Sequence, residues 1–88
     1  MRLVIDGKRL DTEKAALHFN MSYWDGHNNI NGDLYKSSKG HWYMLTPSQW
    51  ESRKYWILTT PHEVIEVYRD FFDEDEIATI SSHIDGWE

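Results

Sequence analysis

A chain of 88 residues is expected to form one domain, residues 1–88, with a small core. It has no cysteine, which excludes a disulfide framework and every cysteine-based zinc site. The formal net charge of −6 argues against direct binding to nucleic acid and favours a partner with a basic surface.

The first third of the chain indicates a hairpin, a short helix and a loop. Strand-forming residues flank the turn signal Asp6-Gly7, so Arg2 to Leu10 is predicted to form a small hairpin. A helix is predicted from Asp11 or Thr12 to about His18. The stretch from Asn20 to Gly32 is rich in asparagine, glycine and aspartate and is predicted to be a loop.

The middle of the chain predicts an antiparallel meander. Three runs rich in aromatic and aliphatic residues favour strands: Leu34-Tyr35, Trp42-Tyr43-Met44-Leu45 and Tyr55-Trp56-Ile57-Leu58. The small polar segment Ser37-Ser38-Lys39-Gly40 predicts the turn between the first two. With an even loop, Tyr35, Trp42 and Met44 would share one face of the sheet, and Leu34, Tyr43 and Leu45 the other.

The last third predicts two amphipathic helices. Thr60-Pro61-His62-Glu63 combines an N-cap, a proline at the first helical position and the glutamate of a capping box. An apolar stripe over 64–72 predicts that Val67, Tyr68 and Phe71 are buried against the strands. A second helix is predicted from Asp73–Glu76 through about His83, ending at Asp85-Gly86.

These elements predict the α+β class: a small antiparallel sheet of three to five strands, a short N-terminal helix, and C-terminal amphipathic helices packed on one face. Both faces of the sheet are partly apolar. The second face is therefore expected to be covered by the Tyr23–Gly32 loop or by a partner.

Two segments resemble a group of small phage- and plasmid-borne proteins. The segments are 6–15, DGKRLDTEKA, and 34–45, LYKSSKGHWYML. These relatives open with Gly-Lys-x-Tyr-Asp-Thr-Glu-Thr-Ala and continue with Leu-Tyr-(Lys/Arg)-x-x-x-Gly-x-(Tyr/Trp)-Phe-Leu before an acidic helix. Leu10, Lys14 and Met44 depart from those patterns. The resemblance implies an origin in a mobile element, and some small acidic proteins of this origin are anti-CRISPR inhibitors of host nucleases.

The sharpest candidate site is the acidic C-terminal third. Residues 1–59 carry a net charge of +2, whereas residues 60–88 carry one arginine against nine acids. The predicted partner-binding residues are Glu63, Glu66, Asp70, Asp73, Glu74, Asp75 and Glu76. The alternative interpretation is a solvated helix junction whose acids favour the N-terminus of the second helix.

Other kinds of site find little support in the sequence. The five histidines offer only the pair His62 and Glu66 at helical spacing, without a third ligand. A calcium loop aligned on Gly32 would place His27 and Ser38 at ligand positions, which is wrong for a hard cation. Aromatic residues near Lys36, Lys39, Arg53 and Lys54 could stack on single-stranded bases, but core packing explains them better. We expect no catalytic residue, no metal and no cofactor.

The sequence therefore predicts a non-enzymatic protein that binds a partner. The leading hypothesis is inhibition of a host defence protein, most concretely a CRISPR nuclease effector, by imitation of a nucleic acid's charge. The alternative is an accessory or antitoxin-like module that binds a protein from its own operon. The opening apolar run, Leu3–Ile5, is too short and too soon charged for a signal peptide, and no run could span a bilayer. We accordingly expect a cytoplasmic protein with no membrane partner.

Overall fold

The computed structural model describes residues 1–84 and is of the α+β class. Strands and helices in this part of the chain follow one another as β1 (Arg2–Ile5), β2 (Lys8–Asp11), β3 (Leu17–Trp24), β4 (Asn29–Lys36), β5 (Trp42–Ser48), β6 (Trp56–Thr59), α1 (Pro61–Tyr68) and α2 (Glu74–Ser81). Short 3₁₀ turns occupy Thr12–Lys14, Glu51–Arg53 and Arg69–Phe71. None of the helices in residues 1–84 has the length and hydropathy needed to cross a membrane.

The predicted N-terminal hairpin is confirmed. β1 and β2 pair antiparallel, with Ile5 opposite Lys8. Asp6 and Gly7 have φ values of 47° and 78°, the left-handed conformation that two-residue hairpin turns require. Glycine adopts it without strain, and aspartate is among the few other residues that tolerate it.

The predicted helix from Asp11 to His18 and the predicted loop from Asn20 to Gly32 are both wrong. Asp11 does act as an N-cap, accepting from the backbone N–H of Glu13 at 3.0 Å, but only a 3₁₀ turn follows. The chain then forms the long hairpin of β3 and β4. Side chains in β3 alternate between the core and solvent, and this period of two outweighs the helix propensity of the two preceding alanines.

The turn of the long hairpin is Asp25 to Asn28. The carboxylate of Asp25 accepts from the backbone N–H groups of His27, at 2.8 Å, and Asn28, at 2.7 Å. These hydrogen bonds, that from Asn28 first, lower the pKa of Asp25. Gly26 completes the turn with a φ of 100°. The composition therefore does indicate a turn, but the turn comprises four residues rather than the thirteen of the predicted loop.

β3, β4, β5 and β6 form one antiparallel sheet in sequence order, so the predicted meander is confirmed and extended by one strand. The predicted faces are wrong, because five residues, 37–41, separate β4 from β5. Tyr35 lies opposite Tyr43, and Leu34 lies opposite Met44. An odd loop moves one strand's side chains to the opposite face relative to an even one.

The sheet lies between two layers. On one face, α1 and α2 cover a core of Met21, Leu34, Trp42, Met44, Val64 and Ile80. On the other, Ile5 and Leu10 of the N-terminal hairpin cover Tyr43, with Tyr35, Trp56 and Leu58 at the margin. The hairpin, rather than the Tyr23–Gly32 segment, therefore covers the second face.

Candidate protein-binding surface

The positions of the predicted acidic site residues depend first on how α1 packs against the sheet. The hydroxyl of Thr60 accepts from the backbone N–H of Glu63 at 3.1 Å, and Pro61 occupies the first helical turn, as predicted. Val64 is fully buried against the sheet, and Tyr68 is half-buried one turn later. Because these residues define the inner face, Glu63 lies in solvent.

Val67 is not buried as predicted: it is 62% exposed. The helical stripe is centred on Val64, Tyr68 and Phe71, which rotates Val67 outward. Glu63 and Asp70 lie at i−4 and i+3 from it. The apolar side chain of Val67 is thus exposed among acids. The apolar residues of this helix fit two neighbouring helical faces, one that includes Val67 and one that does not. The choice between these two faces is the only sign of the exposure in the sequence.

The position of Asp70 depends on the chain reversal between α1 and α2. Regular helix ends at Tyr68, four residues before the end of the apolar stripe at 64–72, and a 3₁₀ turn follows. Phe71 packs against Tyr23 with ring centroids 5.6 Å apart, and Phe72 meets Phe19 edge-on at 6.2 Å. These contacts with β3 anchor the turn and leave the neighbouring Asp70 exposed.

α2 begins with a complete capping box. The carboxylate of Asp73 accepts from the backbone N–H of Glu76 at 2.8 Å, and the carboxylate of Glu76 accepts from that of Asp73 at 3.1 Å. Ile80 is fully buried, which fixes the helix on the core. The predicted end of this helix at Asp85-Gly86 lies outside the described residues; regular helix ends at Ser81.

The seven predicted site residues therefore lie in one helical layer, but they are not equivalent. Asp73 and Glu76 are held in the capping box. Glu63 accepts from the hydroxyl of Thr59 at 3.3 Å, and Glu66 lies 2.8 Å from the ring of His62. The carboxylates of three residues have no hydrogen bond or ion pair within residues 1–84: Asp70, Glu74 and Asp75.

A shallow groove of about 510 Å³ runs between the 3₁₀ turn and α2. Its lining combines apolar side chains with three acids and one arginine: Phe72, Ile77, Ala78, Asp70, Asp73, Glu74 and Arg69. The excess of acids beside apolar side chains suits a partner side chain that is long, apolar along its stem and cationic at its end, such as lysine or arginine.

Within residues 1–84, no three histidine or carboxylate side chains are placed to hold a metal ion. His41, His62 and His83 line one cleft of about 400 Å³ beside Trp42. There the Nδ1 atom of His83 lies 3.2 Å from the ammonium of Lys36, which donates to it.

The structure also bears on two other kinds of site considered from the sequence, the calcium loop and the aromatic surface for stacking bases. The segment compared with a calcium loop is largely strand β4, and Asp33 lies 3.0 Å from His18 on the neighbouring strand. Tyr35 and Tyr43 stack with each other beneath the N-terminal hairpin, at 5.2 Å between centroids. These two rings therefore pack inside the fold, whereas Trp50 and Tyr55, on either side of Arg53 and Lys54, are 57% and 62% exposed.

No family model matches the chain, and no curated protein or solved structure is significantly similar to it. The acidic helical layer, residues 60–84, consequently has to be judged on its own geometry and charge.

Proposed function

We propose that this protein is a small, non-enzymatic inhibitor from a mobile genetic element, which binds a basic surface of a host defence protein through its acidic helical layer. The observation that carries the proposal is the charge of that layer. Residues 60–84 hold seven carboxylates and one arginine, a formal net charge of −6, equal to that of the whole chain. Residues 1–59, which form the other two layers, carry +2.

The most concrete target is a nuclease effector of CRISPR type. Such an effector holds its nucleic acids in a positively charged channel, which an acidic surface can occupy. The exposed Val67 and the apolar residues that line the groove add area that excludes water, since interfaces combine an apolar centre with a polar rim. The resemblance of segments 6–15 and 34–45 to phage and plasmid proteins supports the same setting.

The site can be tested without disturbing the fold. Lysine substitutions at Asp73 would remove the N-cap of α2, which costs about 1 kcal/mol, so Asp73 is a poor probe. The triple variant Asp70→Asn, Glu74→Gln and Asp75→Asn instead changes only carboxylates without partners in residues 1–84. Purified CRISPR nuclease effectors are assayed for cleavage of target DNA with and without the protein.

We expect the parent protein to slow cleavage and the triple variant to bind about tenfold more weakly, mainly through slower association. Affinity of the parent should fall with added salt, because exposed charges are screened over about 8–10 Å at physiological ionic strength. A second variant, Val67→Ser, should weaken binding with little change in salt dependence, since it removes apolar contact and no charge.

The matched control removes three carboxylates from the rest of the molecule: Asp6→Asn, Glu13→Gln and Glu51→Gln, of which Glu51 has an ion pair, with Lys54 at 3.2 Å. It has the same net charge as the triple variant, so equal binding by the two would show that overall charge matters and the helical layer does not. If the parent inhibits none of the effectors, the proposed target class is wrong. Thermal melts of each variant confirm that the fold is retained.

A further inference from the structure

The outer edge of the sheet at β3 is long, and no strand in residues 1–84 pairs with it. The two edge strands of the four-stranded sheet differ in length: β6 has four residues and β3 has eight. Natural proteins usually protect such an edge with lysine, proline, a bulge or a very short strand. β3 has the sequence LHFNMSYW, with no charged residue, no proline and no glycine, and the two residues before it are alanines.

The residues whose backbone groups face outward follow from the register. Asp25 donates to the carbonyl of Asn28 at 3.2 Å, so these two residues form a hydrogen-bonded pair. Such pairs alternate along an antiparallel ladder, so Leu17, Phe19, Met21 and Tyr23 bond to β4. The N–H and C=O groups of the alternate residues, His18, Asn20, Ser22 and Trp24, therefore point away from the sheet. Within residues 1–84, none of these outward-facing N–H and C=O groups has a hydrogen-bond partner.

We propose that β3 pairs antiparallel with β3 of a second copy, so that two chains form one continuous eight-stranded sheet. The strand is complementary to itself about a two-fold axis at Met21. In that register Asn20 lies opposite Ser22 of the second copy, and His18 lies opposite its Trp24. All the outward N–H and C=O groups of the strand then find partners.

The side chains support this pairing. Asn20 and Ser22 are both small, polar and exposed, so their juxtaposition buries no charge. Trp24 is 64% exposed, although it belongs to regular strand. His18 stacks on Tyr35 at 4.2 Å, and Trp24 of the second copy would extend this aromatic row. On the other face, Phe19 would lie opposite Tyr23.

The geometry also fixes where the acidic layers lie. A two-fold axis perpendicular to a continuous sheet keeps equivalent faces on the same side, so both helical layers would face one direction. The dimer would thus present a doubled acidic surface. The pairing itself does not depend on the proposed function, and a dimer that inhibits no nuclease would still satisfy it.

The mass in solution is measured by light scattering and sedimentation equilibrium over about a hundredfold range of protein concentration. We expect the parent to be a dimer that dissociates on dilution. Asn20→Lys with Ser22→Lys would place lysine against lysine at the axis and weaken the dimer about tenfold or more. The variant with glutamate at both positions should behave likewise.

The decisive measurement mixes the lysine and glutamate variants. In the proposed register each lysine then faces a glutamate, so a heterodimer should form where neither variant dimerises well alone. The matched control, Gln49→Lys with Ser52→Lys in the exposed loop between β5 and β6, should dimerise like the parent. A monomeric parent at every concentration, or a lysine variant that dimerises like the parent, would overturn the proposal. A mixture without heterodimer would overturn the register.

Discussion

Replacing Tyr43 by phenylalanine should stabilise the protein, although Tyr43 lies at the centre of the fold. Its side chain is fully buried, and its hydroxyl has no hydrogen-bond partner within residues 1–84. By contrast, Thr46, the other buried polar side chain, accepts from the backbone N–H of Tyr55 at 3.1 Å. A buried hydroxyl without a partner costs about 1–3 kcal/mol.

The substitution keeps the ring and removes the hydroxyl. The ring of residue 43 can still stack on Tyr35 at 5.2 Å and contact Trp56 at 5.8 Å. We therefore expect Tyr43→Phe to raise the free energy of unfolding by about 1 kcal/mol. For a domain of this size that corresponds to a rise of about 4–8 °C in Tm.

Thermal and urea unfolding of the purified variant give both quantities. Tyr35→Phe is the control, because the side chain of Tyr35 is only half-buried and a change within about 0.5 kcal/mol is expected. A loss of about 1 kcal/mol or more in Tyr43→Phe would refute the reasoning. It would mean that the hydroxyl is hydrogen-bonded in solution and contributes to stability.

Two further predictions concern the same core. Gly32→Ala should destabilise the protein by about 1–3 kcal/mol in urea unfolding, because a Cβ there would lie 2.6 Å from the backbone oxygen of Leu45, whereas Asn31→Ala next to it should change little. Thermal melts should also show stability falling above pH 10. Burial raises the pKa values of Tyr35, Tyr43 and Tyr68 above the ordinary 10.0, so these tyrosines lose their protons more readily in the unfolded chain than in the folded one. Tyr43→Phe should make this decline in stability less steep.

What could be predicted from the sequence was local. The turn at Asp6-Gly7, the strand runs and the Thr60-Pro61 helix start each depend on a few neighbouring residues, and the structure confirms them. The capping box of α2 is equally local, because Asp73 and Glu76 have the required spacing. The structure places these two acids in the role that the sequence offers as the alternative, stabilisation of the N-terminus of the second helix.

The incorrect predictions concern features that depend on contacts between segments far apart in the sequence. Gly32 contributes to a loop-like composition, but it is buried in β4, where the backbone at Leu45 and Pro47 comes too close for a side chain. The register of β4 against β5 shifts beside it, between Asn31 and Asp33. The faces of the sheet depended on whether the loop at 37–41 is odd or even, which residue preferences do not determine.

The two outer layers cover the faces of the four-stranded sheet and leave its edge at β3 unpaired. β1 and β2 cover one face and the helices cover the other, and within residues 1–84 no strand pairs with the outer side of β3. The edge presents backbone groups, whereas the helical layer presents carboxylates, so substitutions can address the two surfaces separately. Loss of inhibition both in the Asn20→Lys, Ser22→Lys variant and in the variant with glutamate at both positions, each with the acids of the helical layer intact, would show that the doubled acidic surface is needed. Full inhibition by either monomer would show that one helical layer suffices.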